Sequence, residues 1–136
     1  MVTIDTNVAF YALAVEGSKA DQAKDILDKT DFLSVQVLNE YASSVRRKLN
    51  RNWGDIDYDL RLLRNAVGRI CPVNDEANLN AVWLADRYEL SFYDAVIVAV
   101  ALANGATTLY SEDMHHGLVI DAQLTIIDPF ISTDKI

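Results

Sequence analysis

The chain has 136 residues, 51% apolar and 24% charged, and its 12 basic and 20 acidic side chains give a net charge of −8. That length is enough for one domain to bury a core without a metal or a disulfide, and the mix is globular rather than disordered. Taken as a bulk number, the acidic balance disfavours a polyanionic partner, because nucleic-acid affinity rests on Lys and Arg neutralising phosphates.

Val2-Thr3-Ile4 is a β-branched run and predicts a short strand, ended by Asp5-Thr6-Asn7, whose side chains suit the cap of a helix over Val8–Ala14. No basic stretch followed by an apolar core opens the chain, so no signal peptide is expected. After the break at Glu16-Gly17, Ser18 is the expected cap of a second helix carrying Ala20, Ala23, Ile26 and Leu27. Phe32–Val35 reads as a second strand. A long helix follows, with Val37, Leu38, Tyr41, Val45 and Leu49 on one stripe.

Beyond Asn52-Trp53-Gly54, Ile56, Leu60, Leu63 and Val67 recur at helical spacing. Arg69–Val73 holds a possible strand, with Cys71, the lone cysteine, as a buried thiol beside Pro72. One cysteine forms no internal disulfide, which fits a reducing cytoplasm. Ala77 to Tyr88 is a further helix, and Ser91 opens an almost wholly apolar one closed by Asn104-Gly105. Its apolar run, Ala95 to Ala103, is the longest in the chain, and a membrane span takes roughly 20 residues. Strands at Thr107–Tyr110 and Leu124–Ile127 complete the pattern. Short strands alternating with helices predict a three-layer α/β/α domain over residues 1–136, with a central, mostly parallel sheet of about five strands.

In such sheets ligands bind beyond the carboxyl ends of the strands. Asp5 follows the first strand, Asp113 lies just past a later one, Asp94 sits in the first turn of the apolar helix, and Glu40 is on the long helix. Each has a plainer reading as a cap, a turn residue or a solvated charge. Gathered together, they would repel one another unless protons or cations neutralised them. Hard ions such as Mg²⁺ and Mn²⁺ take carboxylate and water ligands, and in pairs they promote phosphodiester hydrolysis. An acid-only set therefore points to a metal-dependent phosphotransfer or nuclease site. At 100° per residue, Glu40, Arg47 and Arg51 lie within roughly 40° of one another if the long helix continues to residue 51. A basic strip beside a metal site suits a polyanion such as RNA.

Four segments in this order resemble the motifs of the PIN-domain family: Ile4-Asp5-Thr6-Asn7-Val8, Leu38-Asn39-Glu40, Phe92-Tyr93-Asp94-Ala95, and Tyr110-Ser111-Glu112-Asp113-Met114 with Gly117. More narrowly, the chain is similar to the VapC-type toxins of toxin–antitoxin pairs. The resemblance implies a PIN-like fold and a cytoplasmic, Mg²⁺- or Mn²⁺-dependent endoribonuclease. Asp5, Glu40, Asp94 and Asp113 would be its catalytic, metal-binding acids, with Thr6, Asn7 and Ser111 in support. It also implies a homodimer and an antitoxin partner that occludes the acidic site, with DNA met only through the antitoxin complex. The adjacent Glu112 leaves the fourth acid open, although Asp113 fits the motif better. A catalytically silent binding module and a non-toxin RNA-processing nuclease are the alternatives. Haloacid-dehalogenase and receiver-domain patterns fail, the first because Asn7 stands where a second aspartate belongs.

His115-His116 reads as a turn feature, and Trp53 and Tyr58 as core or dimer packing rather than base-stacking platforms. The acidic balance also reads differently once these acids are grouped, since two bound divalent ions would move the formal charge from −8 to −4 (−8 + 4).

Overall fold

The computed structural model describes residues 1–131, so the last five residues of the expected 1–136 domain lie outside the described residues. Six strands and six helices follow in the order β1 (Val2–Ile4), α1 (Thr6–Ala14), α2 (Ser18–Asp28), β2 (Leu33–Ser34), α3 (Val35–Leu49), α4 (Trp53–Ala66), β3 (Ile70–Cys71), α5 (Asp75–Tyr88), α6 (Phe92–Ala103), β4 (Thr108–Tyr110), β5 (Val119–Ile120) and β6 (Leu124–Ile127).

The central sheet has four strands in the order β1-β4-β6-β5. β1, β4 and β6 run parallel, and β5 is antiparallel to β6. The remaining strands, β2 and β3, form a separate parallel pair. The two sheets meet where the Asp31 amide donates to Val2 O at 2.9 Å and the Thr3 hydroxyl donates to Phe32 O at 2.6 Å. The sequence implied one sheet of about five strands. The backbone divides the strands four and two, and β2 is short: Ser34 Oγ accepts from Gln36 N at 3.0 Å and starts the helix at Val35.

Register puts Ile4 beside Tyr110 and Tyr110 beside Ile127, so β1, β4 and β6 end at the same level. The Asp5 amide then donates to Tyr110 O, and the Ser111 amide to Ile127 O, each at 2.9 Å. Asp5 and Ser111 thus leave the sheet side by side. This is what places the first and last motifs together.

Every residue of α6 from Ala95 to Ala101 is buried. Its Ala and Val side chains let it pack closely against α5, α3 and β2, and each fully buried Val or Ile contributes roughly 1.5–3 kcal/mol. Ser91 Oγ caps it by accepting from Asp94 N at 3.3 Å, and Gly105, at φ +83°, turns the chain away at the other end. Capping at α2 differs from expectation. Ser18 is the first helical residue, and Gly17, at φ +118°, takes the cap position with no side-chain bond. Among the described residues no helix is long and apolar enough to cross a membrane.

Candidate active site

Asp5 is 3% exposed, at the end of β1 and ahead of α1. Its Oδ1 accepts from Thr6 N at 2.7 Å. Oδ2 accepts from the Ser111 hydroxyl at 2.7 Å and from the Asn7 amide at 3.3 Å. Among the described residues no Lys or Arg reaches it. Burial first, and then the nearby Asp94 and Glu40 carboxylates, raise its pKa to about 7 against the pull of Ser111. Asp94, half-buried in the first turn of α6, is likewise raised above the usual carboxylate range, by burial and then by Glu40 and Asp113. Asp94 thus lies within electrostatic reach of Asp5, Glu40 and Asp113, and Asp5 also of Glu40.

Polar side chains set the remaining two. Thr6 Oγ1 donates to Glu40 Oε1 at 2.9 Å, and Gln36 Nε2 donates to Oε2 at 3.0 Å. Asn7 Nδ2 bridges Asp5 to Asp113 Oδ2 at 3.2 Å, while its Oδ1 accepts from Glu112 N at 3.1 Å. The Glu112 carboxylate is held by other partners. It accepts from Tyr11 OH at 2.6 Å and is paired with Lys19 Nζ, which also lies over the Tyr11 and Phe130 rings. Burial acts to raise the Glu112 pKa, but Lys19 and Tyr11 outweigh it and hold it low. Of the two neighbouring acids, Asp113 is the one joined to the Asp5 network.

Two hollows flank Glu40. One, of about 270 Å³, is lined by Phe10, Tyr11, Ser44, Lys48, Glu112 and Asp113, among others. The other, of about 500 Å³, is lined by Gln36, Asn39, Glu40, Ser43, Arg47 and Tyr93.

Arg51 departs from expectation. α3 ends at Leu49 with Asn50 at φ 50°, so residue 51 leaves the flank that Glu40 and Arg47 share. Its guanidinium instead grips Asp59 in α4 through Nε at 2.7 Å and Nη2 at 2.9 Å. Trp53 and Tyr58 are each 62% exposed, not packed in the core, and Arg46 lies over the Trp53 ring. His116 Nδ1 accepts from Asp128 N at 3.0 Å, as a turn residue does. Tyr11, Lys19 and Gln36 border the site with no signal in the sequence, whereas Lys48 belongs to the basic run on the helix of Glu40 and Tyr93 adjoins Asp94 in the third motif.

The donor chemistry fits a hard divalent cation: all carboxylate, with hydroxyls and amides behind it, and one acid whose ionisation lacks a counter-charge. Among the described residues, no three His, Cys, Asp or Glu side chains already converge on one ion position. The acids stand instead as a network spaced by Thr6, Asn7 and Ser111.

Solved structures share this architecture. A toxin–antitoxin complex from Klebsiella pneumoniae superposes with a TM-score of 0.70 at 16% identity, covering 96% of this chain and 98% of that one. VapBC2 from Rickettsia felis, bound to a DNA fragment from its promoter, gives 0.67 at 19% identity over 93% and 97%. Mycobacterium tuberculosis VapC20, described as a sarcin–ricin loop cleaving toxin, gives 0.63 at 21% identity over 80% and 87%. At these identities the likeness is one of fold. No curated protein matches the sequence. The PIN domain family model matches residues 2–117, a span that takes in Asp5, Glu40, Asp94 and Asp113 together, and the chain belongs to the PIN domain family.

Proposed function

We propose that this protein is a metal-dependent endoribonuclease and the toxin of a toxin–antitoxin pair. The observation that carries the reading is Asp5: a buried carboxyl at a strand end, with its pKa raised to about 7 by burial and two further acids, and with no basic side chain among the described residues to balance it. A divalent cation is the partner that restores its charge. Asp5, Glu40, Asp94 and Asp113 would hold Mg²⁺ or Mn²⁺, which when bound polarises the phosphodiester and lowers the pKa of water.

The chain's own residues do the positioning. Ser111 and the Thr6 amide fix both oxygens of Asp5, leaving little rotamer freedom to be lost on binding. Thr6 and Gln36 orient Glu40, and Asn7 ties Asp113 to Asp5. Lys19 and Tyr11 hold the Glu112 carboxylate, which lines the hollow beside Glu40 and Asp113, so that its charge is already paired. Arg47, exposed beside Glu40, meets the RNA phosphates.

The toxin reading is supported by neighbours of the same fold, two of them described as toxin–antitoxin or VapBC assemblies. An antitoxin would place a basic side chain among the acids, and DNA would be met only through that complex. Leu79, Val82 and Trp83, exposed together on α5, support a homodimer.

The test is purified protein incubated with labelled total RNA in Mg²⁺, Mn²⁺ or EDTA, beside Asp5→Asn and Asp94→Asn. Discrete cleavage in metal is expected, with a loss of at least about 10³-fold in either variant, about 4 kcal/mol of transition-state stabilisation. Cleavage that survives EDTA or either substitution refutes the metal-nuclease reading. Growth arrest on expression, relieved by the product of an adjacent small gene, checks the toxin assignment.

A further inference from the structure

We infer that Tyr93 is a base-stacking residue and that the hollow it shares with Arg47 seats a nucleotide of single-stranded RNA next to the cut. The inference rests on the nuclease reading above and adds the side chain that would hold the base.

Tyr93 precedes Asp94 in the first turn of α6, so its position is fixed by the same buried helix that positions an acid. Its ring is 62% exposed, and its one aromatic neighbour among the described residues is Phe92, edge-on at 5.8 Å. The core does not need it. The hollow of about 500 Å³ that it lines lies within the range of small-ligand sites. The other lining groups are those that recognise a splayed nucleotide. Arg47 supplies a guanidinium for phosphate, Ser43 a hydroxyl, and Asn39 and Gln36 amides for a base edge. Gln36 spends its Nε2 on Glu40 and keeps its carbonyl oxygen. Glu40 belongs to this hollow and to the acid network alike, so a base stacked here adjoins the reacting phosphate.

The other exposed aromatics lack this combination. Trp53 has Arg46 across its ring at 5.0 Å, Trp83 has Arg87 at 5.4 Å, and Phe92 lines neither hollow beside Glu40; the half-buried Phe10, in the hollow of about 270 Å³, has Lys48 at 5.4 Å. Tyr58 lies on α4 and lines neither hollow beside Glu40. Bases stack on aromatic faces whatever their sequence, so Tyr93 supplies grip, while Asn39 and Gln36 supply preference.

The experiment is steady-state cleavage of a short single-stranded RNA spanning a cut that the wild-type protein makes in total RNA. Wild type is compared with Tyr93→Phe, Tyr93→Leu and Tyr93→Ala, each on the intact RNA and on versions with an abasic ribose at each position flanking the cut. Tyr93→Ala and Tyr93→Leu are expected to raise KM about 5- to 100-fold with a smaller change in kcat, and Tyr93→Phe to stay within about threefold of wild type. One abasic position should cost wild type as much as the alanine does and cost Tyr93→Ala nothing further. Losses that add at every position, or an unchanged KM in Tyr93→Ala, overturn the inference while leaving the nuclease reading intact. A wild-type protein that cuts no RNA overturns both. Thermal unfolding of Tyr93→Ala, expected to match wild type at so exposed a position, separates stacking from misfolding.

Discussion

Two aspartates in this protein are buried to the same degree, and their surroundings are opposite. Asp5 and Asp59 are each 3% exposed. Asp59, in the middle of α4, accepts two bonds from the Arg51 guanidinium and a third from Tyr41 OH at 2.7 Å, so its charge is matched and both its oxygens are bonded. Asp5 accepts as many bonds, but all come from neutral donors, and its charged neighbours are acids. Burial of an ion is tolerable when a counter-ion comes with it. The α3–α4 corner is therefore finished as it stands, whereas the strand-end site leaves its acids without a counter-charge among the described residues, as the proposed cation site requires. The difference sets a carboxylate with a structural partner apart from one proposed to act in the site, without appeal to motif.

The largest effect on stability should come from breaking the finished half. Asp59→Asn leaves Arg51 without its counter-charge and unsettles the Tyr41 hydroxyl in the core. Arg51 remains about a third exposed and keeps part of its hydration, so a loss of about 2–4 kcal/mol is expected from urea unfolding. A loss well below 1 kcal/mol would show that the corner is not held by this pair.

The next effect is smaller and opposite in sign. With a pKa of about 7 in the fold against 3.8 for the free side chain, Asp5 keeps its proton in the native state where the unfolded chain has lost it. Native stability therefore falls as pH rises from about 4 to about 7 and levels off above that. Asp5→Asn lacks this slope. In EDTA it should unfold at the same denaturant concentration as wild type near pH 4 and be about 1–3 kcal/mol more stable at pH 8, after allowance for the amide facing Thr6 N. Saturating Mg²⁺ should narrow the gap by stabilising wild type, by about 2.7 kcal/mol at 100 times Kd. A variant less stable than wild type at pH 8 would mean that the neutral donors alone satisfy Asp5.

These opposite roles were unequally legible in the sequence. Asp5 was readable because a β-branched run ends at it and strand ends are where parallel sheets bind ligands. The Ser91 cap and the apolar helix behind Asp94 were equally local signals. Asp59 went unremarked, since its partner Arg51 lies on the other side of a helix break and was assigned to the basic strip. That break had a sign in Asn50, a residue that tolerates left-handed backbone just past the last apolar position at Leu49, but the basic run from Arg46 to Arg51 spans it. β5 is two residues long and owes its form to β6, so no periodicity could announce it. The turning of Glu112 toward Lys19 depends on residues 93 positions apart, beyond the reach of any local pattern.

The smallest expected effect sharpens the contrast on the basic side chains. Arg47 and Arg51 looked equivalent in sequence, yet one borders the site and the other is bonded to Asp59. If Arg47 meets one phosphate, Arg47→Ala should weaken RNA binding by a small factor for every sequence and flatten the plot of log affinity against log salt by about 0.7. Arg51→Ala should lower stability and leave that slope unchanged, because a guanidinium committed to a buried carboxylate releases no counter-ion on binding. Fluorescence anisotropy of a labelled RNA across a salt series reads both. Equal slopes for Arg47→Ala and wild type, or a flattened slope for Arg51→Ala, would return the RNA path to the line first drawn from the sequence.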